Sequence, residues 1–120
     1  MMDRRQQTGR RGEEIAAAYF TRLGFRILDR NWRCPIGELD IVMEQGDTLI
    51  FVEVRTRRGQ RYGSPEESVT PNKQARLIEL AHSYIQHVQP SHPQWRIDIA
   101  AVQLDQKPPQ INHIENAVGW

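Results

Sequence analysis

The sequence predicts a single α/β domain in which helices flank a mixed central β-sheet, with elements in the order αβββαβ(β). Two segments carry apolar residues at the i, i+3 and i+4 spacing of a helix, and other segments alternate as strands do. The 120 residues suffice for one modest core. We therefore expect one domain over residues 1–120, with residues 1–8 flexible.

The first helix is predicted over residues 9–23, where apolar side chains recur on one face. Thr8 is the expected N-cap, and Gly24 stands where a left-handed residue would close the helix. Residues 25–32 alternate apolar and polar side chains and are predicted to form the first strand.

Residues 37–45 and 48–56 are predicted to form a hairpin with a two-residue turn at Gly46 and Asp47. In that register the pairs on one face are Val42 with Phe51, Asp40 with Glu53, and Glu38 with Arg55. Alternation fills the other face with core residues, namely Leu39, Ile41, Met43, Ile50, Val52 and Val54.

The second half of the chain begins with a polar, glycine-rich segment, residues 57–68, which is typical of a mobile loop. Pro71 suits the first turn of a helix that is predicted to run to about Val88. Its apolar side comprises Leu77, Leu80, Ala81, Tyr84 and Ile85. Residues 95–104 are predicted to form a fourth strand, and residues 111–117 a fifth after the break KPPQ.

The apolar runs are far shorter than the ~18 residues needed to cross a bilayer. The N-terminal residues also lack the apolar segment of a secretory signal. Cys34 is the single cysteine, which excludes an intramolecular disulfide and a cysteine-based zinc cluster. We expect a cytoplasmic protein that does not associate with membranes.

Basic residues are concentrated in two segments although the net charge is only +1. Residues 1–33 hold eight arginines against four acids, and residues 55–76 hold six basic residues against two acids. Arginine binds phosphate through two parallel hydrogen bonds, so this clustering favours a surface that follows a phosphate backbone. A solvated charged surface is the alternative.

Asp40 and Glu53 form the most informative pair of the predicted hairpin. Directly opposed residues have Cβ atoms about 4.5–5.5 Å apart, a separation at which like charges repel. A shared proton or a bound cation would relieve the repulsion, and Mg²⁺ or Mn²⁺ suits oxygen ligands. Two alternatives stay open: an exposed half-sheet on which Arg55 neutralises Glu38 and Glu53, and a looser turn that shifts the register.

Several motifs, taken together in this order, resemble those of a known family. They are Gly9-x-x-x-Glu13, Asn31-x-Arg33, Gly37-Glu38-Leu39-Asp40, Phe51-Val52-Glu53-Val54-Arg55-x-Arg57, Val69-Thr70-x-x-Lys73, Arg96-Ile97-Asp98 and His113-Ile114-x-x-Ala117. The sequence resembles the YraN-like family of uncharacterised bacterial proteins, which in turn is similar to Holliday-junction resolvases of the PD-(D/E)XK nuclease superfamily. The resemblance covers nearly the whole chain and implies a restriction-endonuclease-like core.

The resemblance implies a metal-dependent phosphodiesterase site that uses Mg²⁺ or Mn²⁺. Asp40 and Glu53 would bind the metal together with the backbone carbonyl of Val54, and Glu13 would reach in from the first helix. Arg55 stands where the superfamily signature has lysine. Because arginine stays protonated, it would clamp phosphate or stabilise charge rather than act as a base. A nucleic-acid-binding module without catalysis is therefore the alternative function.

The remaining candidates support or border this site. Glu38 would act beside it as a base, a further ligand or a strut paired with Arg55. Six residues are candidates for nucleic-acid binding: Arg10, Arg11, Arg57, Arg58, Arg61 and Lys73. The expected partner is DNA rather than RNA, branched DNA included, and a homodimer is an open alternative to a monomer.

Three further groups of residues are expected to serve the structure. Asp98 lies between two isoleucines and is expected to anchor a strand end through hydrogen bonds. The tryptophans Trp32, Trp95 and Trp120 are expected to pack at the core rather than to stack on bases. The four histidines lack the i, i+4 spacing of a metal site on a helix.

Overall fold

The computed structural model describes residues 2–59 and 69–119. Across these residues the chain forms two helices and five strands: α1 Arg4–Arg22, β1 Arg26–Cys34, β2 Gly37–Gln45, β3 Thr48–Arg57, α2 Pro71–Val88, β4 Gln94–Gln103 and β5 Gln110–Ile114. The predicted α/β class and mixed sheet are confirmed. Most of the predicted mobile loop, together with Arg61 and Trp120, lies outside the described residues.

The five strands form one sheet in the order β1-β2-β3-β4-β5. Neighbouring strands are antiparallel except for β3 and β4, which are parallel because α2 carries the chain back between them. Each helix covers one face. Ala16 and Phe20 of α1 pack on Ile41, Met43 and the residues around them, whereas the buried side of α2 packs on the opposite face.

Both helices are amphipathic, as expected for elements that cover a sheet. The buried side of α2 consists of Leu77, Leu80, Ala81 and Tyr84, with Ile85 partly buried beside them, which confirms the predicted apolar side. Neither helix formed by residues 2–59 and 69–119 combines the length and apolarity that a membrane crossing needs.

Helix α1 begins at Arg4, so the predicted N-cap at Thr8 is wrong. Asp3 is the N-cap: its Oδ1 accepts the N–H of Gln6 at 2.8 Å, and its own N–H donates to Gln6 Oε1 at 3.0 Å. This reciprocal pair is a capping box, which satisfies two backbone donors and starts the helix more than a turn ahead of the apolar stripe. Residues 4–8 are thus helical; the expected flexibility of residues 1–8 stays a prediction.

The predicted register of the β2–β3 hairpin is confirmed near the turn, where Val42 is paired with Phe51 and Gly46 has a φ of 57°. In the described structure the ladder runs only as far as Ile41 and Val52. Beyond it, β2 continues to pair with β1 as far as Gly37, while β3 continues to pair with β4 as far as Arg57. The two strands therefore diverge, and we call the opening between them the fork.

The prediction that Leu39 shares a face with Ile41 is wrong. Leu39 packs with the α2-side core, whereas Ile41 packs with the α1-side core. Residues two apart on a regular strand share a face, so the alternation is interrupted at Asp40. Asn31, on the adjacent segment of β1, has a left-handed φ of 53°. This irregularity lies beside the point at which the fork opens.

Close contact at Gly12 fixes α1 against the third strand. A Cβ atom at Gly12 would lie 1.9 Å from Thr56 Oγ1 on β3, so no side chain fits there. The next residue is Glu13, and its position over the fork therefore depends on the absence of a side chain at Gly12.

Candidate functional site

Three carboxyl groups from three elements meet in the fork: Asp40 of β2, Glu53 of β3 and Glu13 of α1. Asp40 is at the centre, and its Oδ2 accepts the N–H of Val54 at 2.8 Å. It thereby provides a partner for a backbone group that the β2–β3 ladder no longer satisfies. The side chain of Glu53 is only 16% exposed. The predicted proximity of Asp40 and Glu53 is therefore present, within a fork instead of a continuous ladder.

The carboxyl groups perturb one another strongly. Burial, then the charge of Glu53 and a hydrogen bond to it, raise the pKa of Asp40 to about 9, and the N–H of Val54 acts in the opposite direction. Burial also raises the pKa of Glu13, although its hydrogen bonds to Asn31 and Asp40 oppose the shift. Carboxyl groups with strongly shifted pKa values are typical of sites that bind a cation or catalyse a reaction.

Two cationic side chains approach Glu53. Arg55 Nη2 lies 3.5 Å from Glu53 Oε2, and Lys73 Nζ, from the first turn of α2, lies 3.9 Å from the same oxygen. Glu38 lies 3.2 Å from Arg33 Nε across the β1–β2 pair. Arg55 is thus beside Glu53, as one of the sequence alternatives expected, and Glu38 is braced by an arginine that the sequence reasoning did not pair with it.

The carboxylates line a cleft of about 1140 Å³ with a cationic margin. Its acidic lining is Glu13, Glu38, Asp40 and Glu53, and its basic lining is Arg4, Arg5, Arg11, Arg55, Arg58 and Lys73. The N-terminus of α2 is capped by Thr70 and its first turn is free of acidic residues, so the positive end of its dipole is not offset, whereas the Asp3 carboxylate caps α1. A cleft with acidic groups at its centre and positive charge around them suits a cation together with a polyanion.

Not every predicted residue lies in this cleft. Arg10 lines neighbouring grooves between α1 and β1. Arg57 lines a separate groove with Gln103 and Gln110, because it lies at the far end of β3, where it pairs with Gln103 of β4. Arg61 lies outside the described residues.

The sequence reasoning missed Arg4 and Arg5, which line the cleft. A helix that begins at residue 9, as predicted, would leave both residues ahead of it. The available signal was the spacing of Asp3 and Gln6, which predicts a capping box and an earlier start of α1.

The carboxylate and carbonyl oxygen atoms of the fork are ligands of the kind that a hard divalent cation such as Mg²⁺ prefers. Within residues 2–59 and 69–119, no group of three or more His, Cys, Asp or Glu side chains has metal-binding spacing. Mg²⁺, however, commonly uses one or two carboxylates and completes its shell with water and substrate phosphate. A strand residue directs its N–H and C=O to the same side. Since the Val54 N–H points to Asp40, its carbonyl oxygen is also directed into the fork.

Asp98 has the predicted structural role. It is fully buried and accepts hydrogen bonds from Arg96 Nε at 2.9 Å and from the N–H of Asn116 at 2.8 Å. His113 Nε2 lies 2.7 Å from its other oxygen. The carboxylate therefore ties β4 to β5 and the segment after it.

The tryptophans that the structure describes also pack as predicted. Trp32 makes an edge contact with Tyr84, and Trp95 makes one with Phe51. Both rings thus extend the core on the α2 side of the sheet.

Comparison with known proteins assigns the family. The model of "Uncharacterised protein family UPF0102" matches residues 12–102, which include Glu13, the fork and Lys73. The chain belongs to this family. The expected membership of the YraN-like family is thereby confirmed.

Relatives of this UPF0102 chain match along nearly its whole length. The UPF0102 protein DehaBAV1_0707 of Dehalococcoides mccartyi is 47% identical over 115 residues, covering 96% of this chain and 95% of the relative. A UPF0102 protein of Pelotomaculum thermopropionicum is 44% identical over 119 residues, covering 98% and 99%. A solved structure, Pyrococcus furiosus SfsA in complex with Ca²⁺, is 17% identical over 100% of this chain and 67% of that one, with a TM-score of 0.32, too low to support an argument.

Proposed function

We propose that this UPF0102 protein is a Mg²⁺- or Mn²⁺-dependent phosphodiester hydrolase that acts on nucleic acid, with a fold of the PD-(D/E)XK type. The observation that carries the proposal is the position of Asp40. Its carboxyl group lies between those of Glu13 and Glu53, in a fork at the centre of a cleft lined by six basic residues. DNA, branched DNA included, is the favoured substrate, and homodimer formation and a cytoplasmic location stay predictions.

Each residue of the fork has a separate role that follows from its position. Asp40 and Glu53 would hold the cation together with the carbonyl oxygen of Val54, and Glu13 would support the site from α1. A bound divalent ion supplies charge stabilisation at the scissile phosphate and lowers the pKa of the attacking water. Asn31 orients Glu13 through a hydrogen bond, and the contact of Gly12 with Thr56 fixes the distance of α1 from the sheet.

Arg55 and Lys73 act on the substrate's negative charge. Both lie near Glu53, on the side of the sheet that α2 covers. The guanidinium of Arg55 cannot give up its proton at neutral pH, so it clamps a phosphate oxygen and leaves proton removal to other groups. Lys73 adds a second positive charge from the N-terminal turn of α2, where phosphate is favoured by the helix dipole.

A cleavage assay tests the proposal. Purified protein is incubated with labelled single-stranded, duplex, flapped and branched DNA and with RNA, in Mg²⁺, in Mn²⁺ and in a chelator. We expect metal-dependent cleavage of at least one substrate, and its loss in Asp40→Asn. The matched control is Asp47→Asn, which changes an exposed carboxylate at the turn of the same hairpin. No cleavage of any substrate in either metal contradicts the proposal.

Arg55 supports a second candidate function, a nucleic-acid-binding module that keeps the fold without catalysis. The lysine of the superfamily signature can be tuned by its surroundings, whereas arginine cannot. This alternative predicts salt-sensitive binding that survives Asp40→Ala and Glu53→Ala, with no cleavage by the wild-type chain. Binding that requires both the metal and these carboxylates would favour the hydrolase instead.

A further inference from the structure

A second groove begins on the far side of Glu13. It has a volume of about 340 Å³ and lies between α1 and β1, with Arg10, Asn31 and Arg33 in its lining. Glu13 and Glu38 line both this groove and the cleft, so the two spaces meet at the carboxylates. We call it the α1–β1 groove.

The α1–β1 groove repeats the charge pattern of the cleft. Arg10 comes from α1 and Arg33 from β1, and the side chain of Arg33 is 78% exposed although its Nε lies near Glu38. Arg30 lines a small adjoining space with Arg10 and Glu13, and its charge favours the ionised form of Glu13. Positive side chains therefore lie on both sides of the carboxylates.

The sizes of the two spaces favour a narrow substrate near the carboxylates. A volume near 340 Å³ is at the lower end of the ~300–1000 Å³ range of small-ligand sites. It suits about one nucleotide of a single strand, whereas a double helix needs a much wider surface. The cleft of about 1140 Å³ offers room for several such units.

We propose that the α1–β1 groove binds the sugar-phosphate backbone on the far side of Glu13, so that the substrate is a single-stranded segment that continues past the carboxylates in both directions. The inference rests on the proposed function, because it takes the fork as the point of cleavage. Arg10 and Arg33 contact phosphates there, and Asn31 holds Glu13 at the boundary between the two spaces. A substrate bound in this way needs no free strand end.

Binding without metal tests the groove directly. The affinity of the full chain for a labelled single-stranded oligonucleotide is measured by fluorescence anisotropy at several salt concentrations, with the duplex of the same sequence for comparison. Arg10→Ala and Arg33→Ala are each expected to weaken single-strand binding several-fold and to reduce the salt dependence by about 0.7 in the logarithmic slope. The control is Arg22→Ala, an exposed arginine in the last turn of the same helix.

Two results of this measurement would overturn the inference. One is that the Arg10→Ala and Arg33→Ala variants bind the single strand as tightly as the Arg22→Ala variant does. The other is binding of the duplex as tightly as the single strand. Binding readouts do not depend on catalysis, so they decide the role of the groove even if the chain cleaves nothing.

A single-stranded DNA circle separates this inference from the proposed function. With Mn²⁺, a substrate that passes through both spaces needs no end, so we expect the circle to be cut as readily as the linear strand. Cleavage of linear strands with full resistance of the circle overturns the inference and leaves the hydrolase intact. Failure to cut either, with the binding effects of Arg10→Ala and Arg33→Ala present, contradicts the hydrolase and supports the groove.

Discussion

Asp40 and Val54 are joined by a 2.8 Å hydrogen bond from the backbone N–H of Val54 to Oδ2 of Asp40, just beyond the last pair of the β2–β3 ladder. A side chain here takes the place of the backbone acceptor that a continued ladder would supply. The same carboxyl group lies against Glu53 and Glu13. Asp40 therefore both supports the open fork and provides its central acidic group.

The two roles of Asp40 are separable by substitution. Asp40→Asn keeps an oxygen acceptor for Val54 and removes one of three neighbouring acidic groups, so we expect the free energy of unfolding to be unchanged or up to about 1 kcal/mol higher. Asp40→Leu leaves the N–H of Val54 without that acceptor and should lower it by about 1–3 kcal/mol. Urea unfolding measures both, and equal stability of the two variants would refute the structural role.

The contact between α1 and β3 predicts a large effect at Gly12. Gly12→Ala places a methyl group 1.9 Å from Thr56 Oγ1 and should reduce stability by about 1–3 kcal/mol, because the helix must move from the sheet. Gly9→Ala is the control, since a Cβ there meets no atom within 4 Å and should stabilise the helix by about 0.5–1 kcal/mol.

The mechanism at Gly12 is checked by a second substitution. Thr56→Ala removes the closest atom and should restore part of the stability of Gly12→Ala, as measured by thermal unfolding. An equal loss for Gly12→Ala and Gly9→Ala would show that the effect comes from the helix itself rather than from the contact.

Local patterns predicted much of this structure. The register of the hairpin near its turn follows from Gly46 and from alternation, both of which are properties of neighbouring residues. The buried side of α2 follows from apolar spacing in the same way. The approach of Asp40 to Glu53 was predictable because these residues form the first pair beyond the observed ladder.

The errors concern features that depend on more distant parts of the chain. Leu39 changes faces where the strand is irregular at Asp40, next to the left-handed Asn31, and residues of β2 alone carry no sign of it. The fork exists because β1 and β4 draw β2 and β3 apart, which is a property of the whole sheet. The early start of α1 was missed because the capping box precedes the apolar stripe that identified the helix.

Asp98 predicts loss of stability in acid. Although burial alone would raise it, the pKa of Asp98 is held below the usual value by hydrogen bonds from His113, Arg96 and the N–H of Asn116. A carboxyl group with a lowered pKa in the folded state stabilises the fold above the unfolded value of about 3.9, and this contribution is lost as the pH falls through the lower folded value. Glu115 also lies near this cluster, with its Oε1 3.8 Å from Arg96 Nη2.

Urea unfolding at a series of pH values below about 5 checks the role of Asp98. Asp98→Asn should be less stable than wild type at neutral pH and should show a flatter decline in acid. The control is Asp47→Asn, at the exposed hairpin turn, which should follow the wild-type curve. A wild-type decline that persists unchanged in Asp98→Asn would assign the acid sensitivity to other groups.

Arg55 and Lys73 provide a test of how the cleft handles phosphate. If Arg55 serves as a fixed positive charge, Arg55→Lys should retain nuclease activity within about tenfold, whereas Arg55→Met should lose more than a hundredfold, the scale of a lost charge-stabilising donor. Cleavage rates in Mn²⁺ measure both. Full activity of Arg55→Met would exclude a role for this residue in the reaction.

Lys73→Met should weaken nucleic-acid binding and lower its salt dependence, because Lys73 lines the cleft near Glu53. Lys107→Met provides the matched control, since that lysine is exposed in the connection between β4 and β5. Anisotropy titrations at several salt concentrations compare the two, and equal losses would indicate general electrostatic attraction rather than a contact in the cleft.

The most direct test of the metal-dependent site is a crystal of the full chain soaked in Mn²⁺ and measured at the manganese absorption edge. We expect an anomalous peak between the carboxyl groups of Asp40 and Glu53, within about 2.0–2.6 Å of an oxygen of each, and its absence from Asp40→Asn crystals treated in the same way. A fork without a peak at saturating Mn²⁺, or a peak that persists unchanged in Asp40→Asn, would contradict the proposed metal site.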